Sequence, residues 1–253
     1  MNATDTAETL RRVRSYWDAR AEGFARLREV ELESGKGELW YRELAGAVDL
    51  SRPLDVLDAG TGAGFFPLLL GAMGHRVLGI DLSGEMIERA KFLARAHGVD
   101  ARFVEGDATH TGLPDRLFDL VVTRNLTWTL PDVRAAYREW FRVLRPGGML
   151  VNYDADYGNV KFLCLTEDLE RRNVENAHKG LTRESLIECD SIKEGLEVSS
   201  CRRPAWDCGV LAEVGFCDVI ADETLSERIY PNQDGVWNPV RMFSIQARRP
   251  QID

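Results

Sequence analysis

Between Pro53 and Asp154 the chain alternates short apolar runs with stretches of helical periodicity, and no other feature restricts the possible folds as much. Strands are predicted at 55–59, 76–81, 101–105, 117–123 and 149–154, with helices at about 64–73, 83–97 and 131–145 between them. The last helix is closed by Arg145-Pro146-Gly147-Gly148, a stop and turn signal. Strand–helix alternation of this kind implies an α/β fold with a parallel sheet covered on both faces. Ligand sites in such sheets form at the carboxyl ends of the strands. Upstream, Leu10, Val13, Trp17, Phe24, Leu27 and Val30 recur at helical spacing over 7–33, predicting an amphipathic N-terminal helix or two. The break at Ser34-Gly35-Lys36-Gly37 precedes a further helix at about 37–48. Downstream, 157–204 is polar and charged, with helical pieces at about 160–176 and 182–198. At about 48 residues it is too short for a core of its own and is read as a cap inserted after the fifth strand. A helix near 206–214, a strand at 216–221 and a last strand at about 239–248 return to the sheet style. The expected organisation is a helical lid over 1–50 followed by one α/β domain over 51–253 that carries the cap.

Composition narrows the partners. The 253 residues are 44% hydrophobic and 29% charged, enough apolar surface to offset the entropy of folding. The longest apolar stretch, 65–73, is far short of the roughly 20 residues a bilayer requires, and the N-terminus lacks the apolar segment of a secretory signal. Five cysteines without a C-x-x-C pair argue against a disulfide framework or a zinc site, and predict reduced thiols in the cytoplasm. His75, His97, His110 and His178 show no metal-ligand spacing, so no metal is expected. With a net charge of −9 and basic residues only in short pairs, the chain lacks the concentrated positive face that a nucleic acid demands. A small-molecule substrate is the better expectation, handled by a monomer or homodimer, with no nucleic-acid or membrane partner.

The segment Asp58-Ala59-Gly60-Thr61-Gly62-Ala63-Gly64 runs from a predicted buried strand into a predicted helix. Glycine tolerates positive φ and lets a ligand approach bare backbone. The spacing fits neither a dinucleotide fingerprint, because Phe65 or Pro67 would fall at the last glycine position, nor a P-loop, because Gly-Lys-Ser/Thr is missing. Asp58 would repel a phosphate and suits an ammonium. Asp81 ends the second strand, where a carboxylate can accept from both hydroxyls of a ribose, and Asp107 ends the third, where it can accept from an exocyclic adenine amine. A ligand with an ammonium, a ribose, an adenine and no phosphate is S-adenosylmethionine.

With those pieces in order, the sequence resembles the class I S-adenosylmethionine-dependent methyltransferases. The matching motifs are Asp58 to Gly64, Gly79-Ile80-Asp81-Leu82-Ser83, Gly106-Asp107-Ala108, Phe118-Asp119 through Arg124-Asn125, and Leu144-Arg145-Pro146-Gly147-Gly148. The resemblance covers about 53–154 and implies a Rossmann-like seven-stranded sheet with helices on both faces, its last strand antiparallel. It implies that Asp58 and the loop Gly60, Thr61, Gly62 lie near the methionine moiety, Asp81 at the ribose, Asp107 and Ala108 at the adenine, and that Leu82 and Met86 pack on the adenosine.

Methyl transfer from a sulfonium is an in-line displacement that positioning accelerates, and a base is needed only for acceptors such as phenols or alcohols. Arg124 and Asn125 end the fourth strand, where cofactor and acceptor should meet. Tyr16, beside the apolar stripe, is expected to fold over the cofactor as an aromatic lid, since aromatic faces attract sulfonium cations, whereas Trp17 is read as core. Asp154 and Tyr157, entering the cap, are expected to contact the acceptor, with Tyr153 and Asp156 in reserve. Acids there would favour an amine-bearing acceptor. His178 is read as a surface residue in preference to a base. Two other readings keep the cofactor: attack on its aminobutyrate arm with release of methylthioadenosine, and a non-catalytic sensor.

Overall fold

The computed structural model describes residues 3–251. Seven strands form one sheet in the order β3-β2-β1-β4-β5-β7-β6: β1 (Asp55–Ala59), β2 (Arg76–Asp81), β3 (Arg102–Glu105), β4 (Phe118–Arg124), β5 (Leu144–Ala155), β6 (Cys217–Asp222) and β7 (Met242–Arg248). β1 to β5 run parallel to one another, and β7 lies antiparallel between β5 and β6. The order reverses beside β1, which is paired to β2 on one side and β4 on the other, so a crevice opens at its carboxyl end. This is the α/β, Rossmann-like seven-stranded sheet that the motifs implied.

Helices cover both faces because alternate residues of the central strands point opposite ways. Val56, Val122 and Tyr153 pack on one side, against Trp40, Phe65 and Phe66. Leu57, Val121 and Leu150 pack on the other, against Tyr137, Trp140 and Leu211. The elements that supply these partners are α2 (Gly37–Ala47), α3 (Phe65–Gly71), α5 (Val133–Val143) and α8 (Ala205–Val214), while α4 (Gly84–Ala96) covers the β2–β3 side. Ser83 caps α4 by accepting from the Met86 N–H at 3.1 Å, and Asp132 caps α5 by accepting from the Ala135 N–H at 2.8 Å.

Three details differ from the sequence-based expectations. The N-terminal helix α1 spans Ala3–Glu31 and reaches α2 through a kinked turn at Leu32–Lys36, where Gly35 takes φ +80°. Arg145 to Gly148 extend β5 instead of forming a free turn, because the Gly148 carbonyl accepts from the Arg249 N–H and the Gly147 N–H donates back to the Arg249 carbonyl. Val30, counted in the apolar stripe, is 49% exposed. The segment after β5 holds α6 (Phe162–Arg171) and α7 (Arg183–Glu194), which pack on each other, and the short α9 (Leu225–Ile229) precedes β7. Among the described residues no helix is long and apolar enough to cross a membrane.

Candidate functional site

The turn after β1 is anchored from below. The Gly60 and Thr61 N–H groups both donate to the Ile80 carbonyl, at 2.8 and 2.9 Å, so the loop is pinned to the end of β2. Gly60 and Gly62 take φ of +69° and +52°, a region that side chains strain to occupy. A Cβ on Gly60 would lie 2.7 Å from Leu126, and one on Gly62 would lie 3.1 Å from the Phe24 ring. Bare backbone is therefore favoured on conformational grounds at both positions, and a side chain would also press on Leu126 or Phe24. Asp81 reinforces the loop: its carboxylate accepts from the Gly62 N–H at 2.8 Å and the Ser83 N–H at 2.9 Å.

Above these strand ends lies a cavity whose space, counted out to its open mouth, is roughly 690 Å³. Gly60, Gly62, Asp81, Leu82, Met86, Asp107, Ala108, Arg124 and Asn125 all line it, as do Trp17 and Phe24 from α1. Asp107 uses one oxygen to accept from the Thr109 N–H and hydroxyl, both at 2.8 Å. Burial pushes Asp81 up to about 6 and Asp58 up to about 7, against the pull of their hydrogen bonds. Asp58 and Thr61 do not line the cavity. Asp58 is buried and accepts from the Thr61 hydroxyl at 2.6 Å, so the pair stiffens the loop that carries the glycines.

A second cavity adjoins the first and shares Trp17, Phe24 and Asn125 with it. Asn125, at the tip of β4, takes φ +56°, a strained placement of the kind that gathers at functional sites. Its side-chain oxygen accepts from the Tyr157 hydroxyl at 3.2 Å, which in turn accepts from Asn238 Nδ2 at 2.9 Å. Its carbonyl accepts from the Trp128 indole at 2.9 Å. Tyr157, Trp128 and Phe162 form an aromatic wall, with the Trp128 and Tyr157 rings 4.8 Å apart.

Tyr16 lines this second cavity, not the first, and its buried hydroxyl receives a 2.6 Å hydrogen bond from Arg20. The lid position expected of Tyr16 is filled by Trp17 and Phe24, whose rings meet edge-on at 5.5 Å between the two cavities. The helical turn directs them there: residues 17, 20, 24 and 28 share a face. The sequence names Phe24 only as part of the apolar stripe and does not point to Arg20, Arg28 or Asn238; the two arginines lie beside that stripe and would emerge if it were extended through its basic members. His178, read as a surface residue, also lines this cavity, and burial, with Arg20 and Arg28 nearby, pushes its imidazole down to about 4.

Asp154 requires a correction. It is fully buried and lines neither cavity. Its carboxylate accepts from the Trp128 and Ala155 N–H groups at 3.0 and 2.9 Å, from the Thr127 hydroxyl, and from Arg203 at 3.1 Å. Arg203 binds Asp207 through two nitrogens, at 2.8 and 2.9 Å, and Asp207 accepts from Tyr137 at 2.6 Å. A carboxylate so fully occupied holds the turn after β4 in place and has nothing left for an acceptor. Tyr153 packs against Trp40 and Phe66, and neither it nor Asp156 lines the second cavity.

A second buried cluster fixes α1. Glu31 accepts from Trp40 at 3.0 Å and Tyr230 at 2.9 Å, and pairs with both Arg28 and Arg124 at 2.6 Å. Arg124 is held between the Trp40 and Phe65 rings, 4.5 and 4.4 Å from their centroids. Its Nη1 is buried and finds no acceptor among the described residues, although Arg124 borders the first cavity. Such an orphaned donor suits a ligand carboxylate, and half-buried acids beside bare glycines suit an ammonium and hydroxyls. S-adenosylmethionine carries all of these groups, so the residues present fit it.

Comparison with known proteins agrees. The family described as "Methyltransferase domain" matches residues 57–152. The demethylmenaquinone methyltransferase of Thermus thermophilus is 38% identical over 125 residues, 47% of this chain and 56% of that protein. The malonyl-[acyl-carrier protein] O-methyltransferase of Yersinia pestis is 35% identical over 96 residues, 38% of this chain and 34% of that protein. The matched stretch thus spans about half or less of these relatives. A methyltransferase structure from Aquifex aeolicus, described as SAM dependent, superposes with a TM-score of 0.55 at 20% identity, covering 83% of this chain and 88% of that one, which speaks to fold alone. By the order of its motifs and the domain model they match, residues 57–152 form a methyltransferase domain of the class I S-adenosylmethionine-dependent kind.

Proposed function

We propose that the chain transfers a methyl group from S-adenosylmethionine to a small molecule bound in the second cavity. The observation that carries this is the junction of the two cavities at Asn125, Trp17 and Phe24. The cofactor supplies an electrophilic methyl group on a sulfonium. Asp81 accepts ribose hydroxyls, Asp107 an adenine amine, and Leu82, Met86 and Ala108 pack on the nucleoside. Arg124 Nη1 donates to the carboxylate, while Asp58 and Thr61 keep Gly60 and Gly62 in their left-handed conformations. Tyr16, Asn125 and Tyr157 contact the acceptor, with Asn125 oriented by the Tyr157 hydroxyl. Excluding water from the junction falls to Trp17 and Phe24, so residues 1–50 act as a lid on a domain at 51–253 whose insert, about 157–204, closes the acceptor side. Work on such a small acceptor is compatible with the cytoplasmic setting expected from the thiols.

Product mass tests this reading. Incubation with S-adenosylmethionine and a metabolite extract should yield S-adenosylhomocysteine together with a product heavier by one methylene. Release of methylthioadenosine instead would replace methyl transfer with chemistry on the aminobutyrate arm.

A further inference from the structure

The acids of the first cavity have no counterpart in the second. Among the described residues lining it, the charged side chains are Arg20 and Arg28, and no aspartate or glutamate is present. Arg28 is buried; its counter-ion Glu31, 2.6 Å away, is shared with Arg124, so one carboxylate faces two guanidinium groups. The Arg28 Nε is buried without an acceptor. Arg20 has no carboxylate within 4.0 Å among the described residues. It donates to the Tyr16 hydroxyl at 2.6 Å and lies 5.2 and 5.0 Å from the centroids of Tyr16 and Trp17. Two aromatic rings hold the guanidinium in place while most of its five donors stay uncommitted. Polar side chains that remain short of partners also border the space: His178 Nδ1 is buried and unbonded.

We propose that this cavity selects an anionic acceptor, a small carboxylic acid with a flat apolar body, and that Arg20 receives its carboxylate. The proposal rests on the methyl-transfer reading for the role of the cavity, and adds the class of molecule that enters it. An ammonium ion there would meet two guanidinium groups and no counter-ion, with the desolvation of its own charge uncompensated. A carboxylate neutralises Arg20 in the planar geometry guanidinium groups favour, and it brings no further positive charge towards Arg28. The remainder of the molecule has Trp128, Tyr157, Phe162 and Tyr230 to pack against, and Asn125 marks the end at which the reacting atom would lie. The amine-bearing acceptor anticipated from Asp154 and Asp156 loses its support, because neither acid borders the cavity.

The test is calorimetry on the full chain saturated with S-adenosylhomocysteine, using benzoate, phenylacetate and cinnamate, each beside its neutral primary amide and its primary amine. At least one acid should bind about tenfold or more tightly than its amide, the worth of one charge-assisted hydrogen bond, and its amine should bind no better than the amide. Arg20→Met should abolish that preference while leaving S-adenosylhomocysteine affinity within about twofold, and Arg20→Lys should keep part of it. The proposal is overturned if no acid exceeds its amide, if an amine binds as well as its acid, or if Arg20→Met retains the preference. Loss of nucleoside binding in folded Arg20→Met overturns it too, since the charge would then serve the cofactor. Should wild type fail to bind S-adenosylhomocysteine, the methyl-transfer reading falls, and the same titrations without nucleoside still report the charge preference of the cavity.

Discussion

Single carboxylates in this protein have sharply different duties, set by what surrounds them. Asp81 stands at a cavity wall with both oxygens already accepting backbone N–H groups, so it shapes the glycine loop as well as facing the ligand. Asp81→Ala should weaken S-adenosylmethionine binding by about 1–3 kcal/mol, the scale of hydrogen bonds to a charged acceptor, as measured by calorimetry. Gly62→Val should remove binding altogether, because the new side chain meets Phe24 and must adopt a φ of +52°. Unchanged affinity in both variants would unseat the assignment of this loop. Asp154 is the contrasting case. Asp154→Asn weakens a buried pair with Arg203 and should lower the melting temperature clearly, while nucleoside affinity stays as in wild type. A normal melting temperature with lost acceptor turnover would return Asp154 to the site.

At the scale of elements, α1 is the wall that both cavities share. Its stripe of Leu10, Val13, Trp17 and Phe24 packs along the first cavity, and its neighbours Tyr16, Arg20, Leu27 and Arg28 along the second. Polar ties hold it there: Asp18 accepts from Ser83 at 2.5 Å, Arg14 pairs with Glu105 at the end of β3, and Arg12 pairs with Glu188 of α7 at 2.9 Å. Its far end is fixed by Glu31. Glu31→Gln would leave Arg28 and Arg124 as buried charges without a counter-ion, and should cost about 3–5 kcal/mol of stability in chemical denaturation. A loss below about 1 kcal/mol would mean that water or other groups already compensate these arginines. Periodicity made the helix and its apolar face legible in the sequence, but it could not say whether that face met a core or a cavity, since both reward the same spacing.

For the molecule as a whole, proton uptake couples folding to ligand binding. Asp58 and Asp81 titrate near 7 and 6, above their ordinary value of 3.8, because burial penalises their charge. Carboxyl groups raised in this way stabilise the ligand-free fold fully below about pH 4, and that contribution is lost as pH rises through 6 to 7. A cationic nucleoside prefers Asp81 ionised, so its affinity should move the other way and fall as pH drops from about 8 to 5. Thermal-shift titrations across that range check the sign, and an affinity independent of pH would show that Asp81 does not face the ligand's charge. Much of this architecture was readable along the chain: strand ends at Ala59, Asp81 and Glu105, the glycine turn, and an acid at or beside the end of each of the first three strands. Those are local patterns, written in period, turn chemistry and short spacings. The acceptor side was not readable in that way, because its residues come from α1, the tip of β4, the insert after β5 and the loop before β7, and sequence distance says nothing about which of them meet. In sequence Asp154 reads as a ligand contact; in the fold Arg203, 49 positions away, pairs with it instead. Neighbouring residues dictate backbone conformation, and so the strands, helices and cofactor turn follow from the sequence alone; whether a charge is spent on the scaffold or left for a substrate depends on partners that only the packed chain brings within reach.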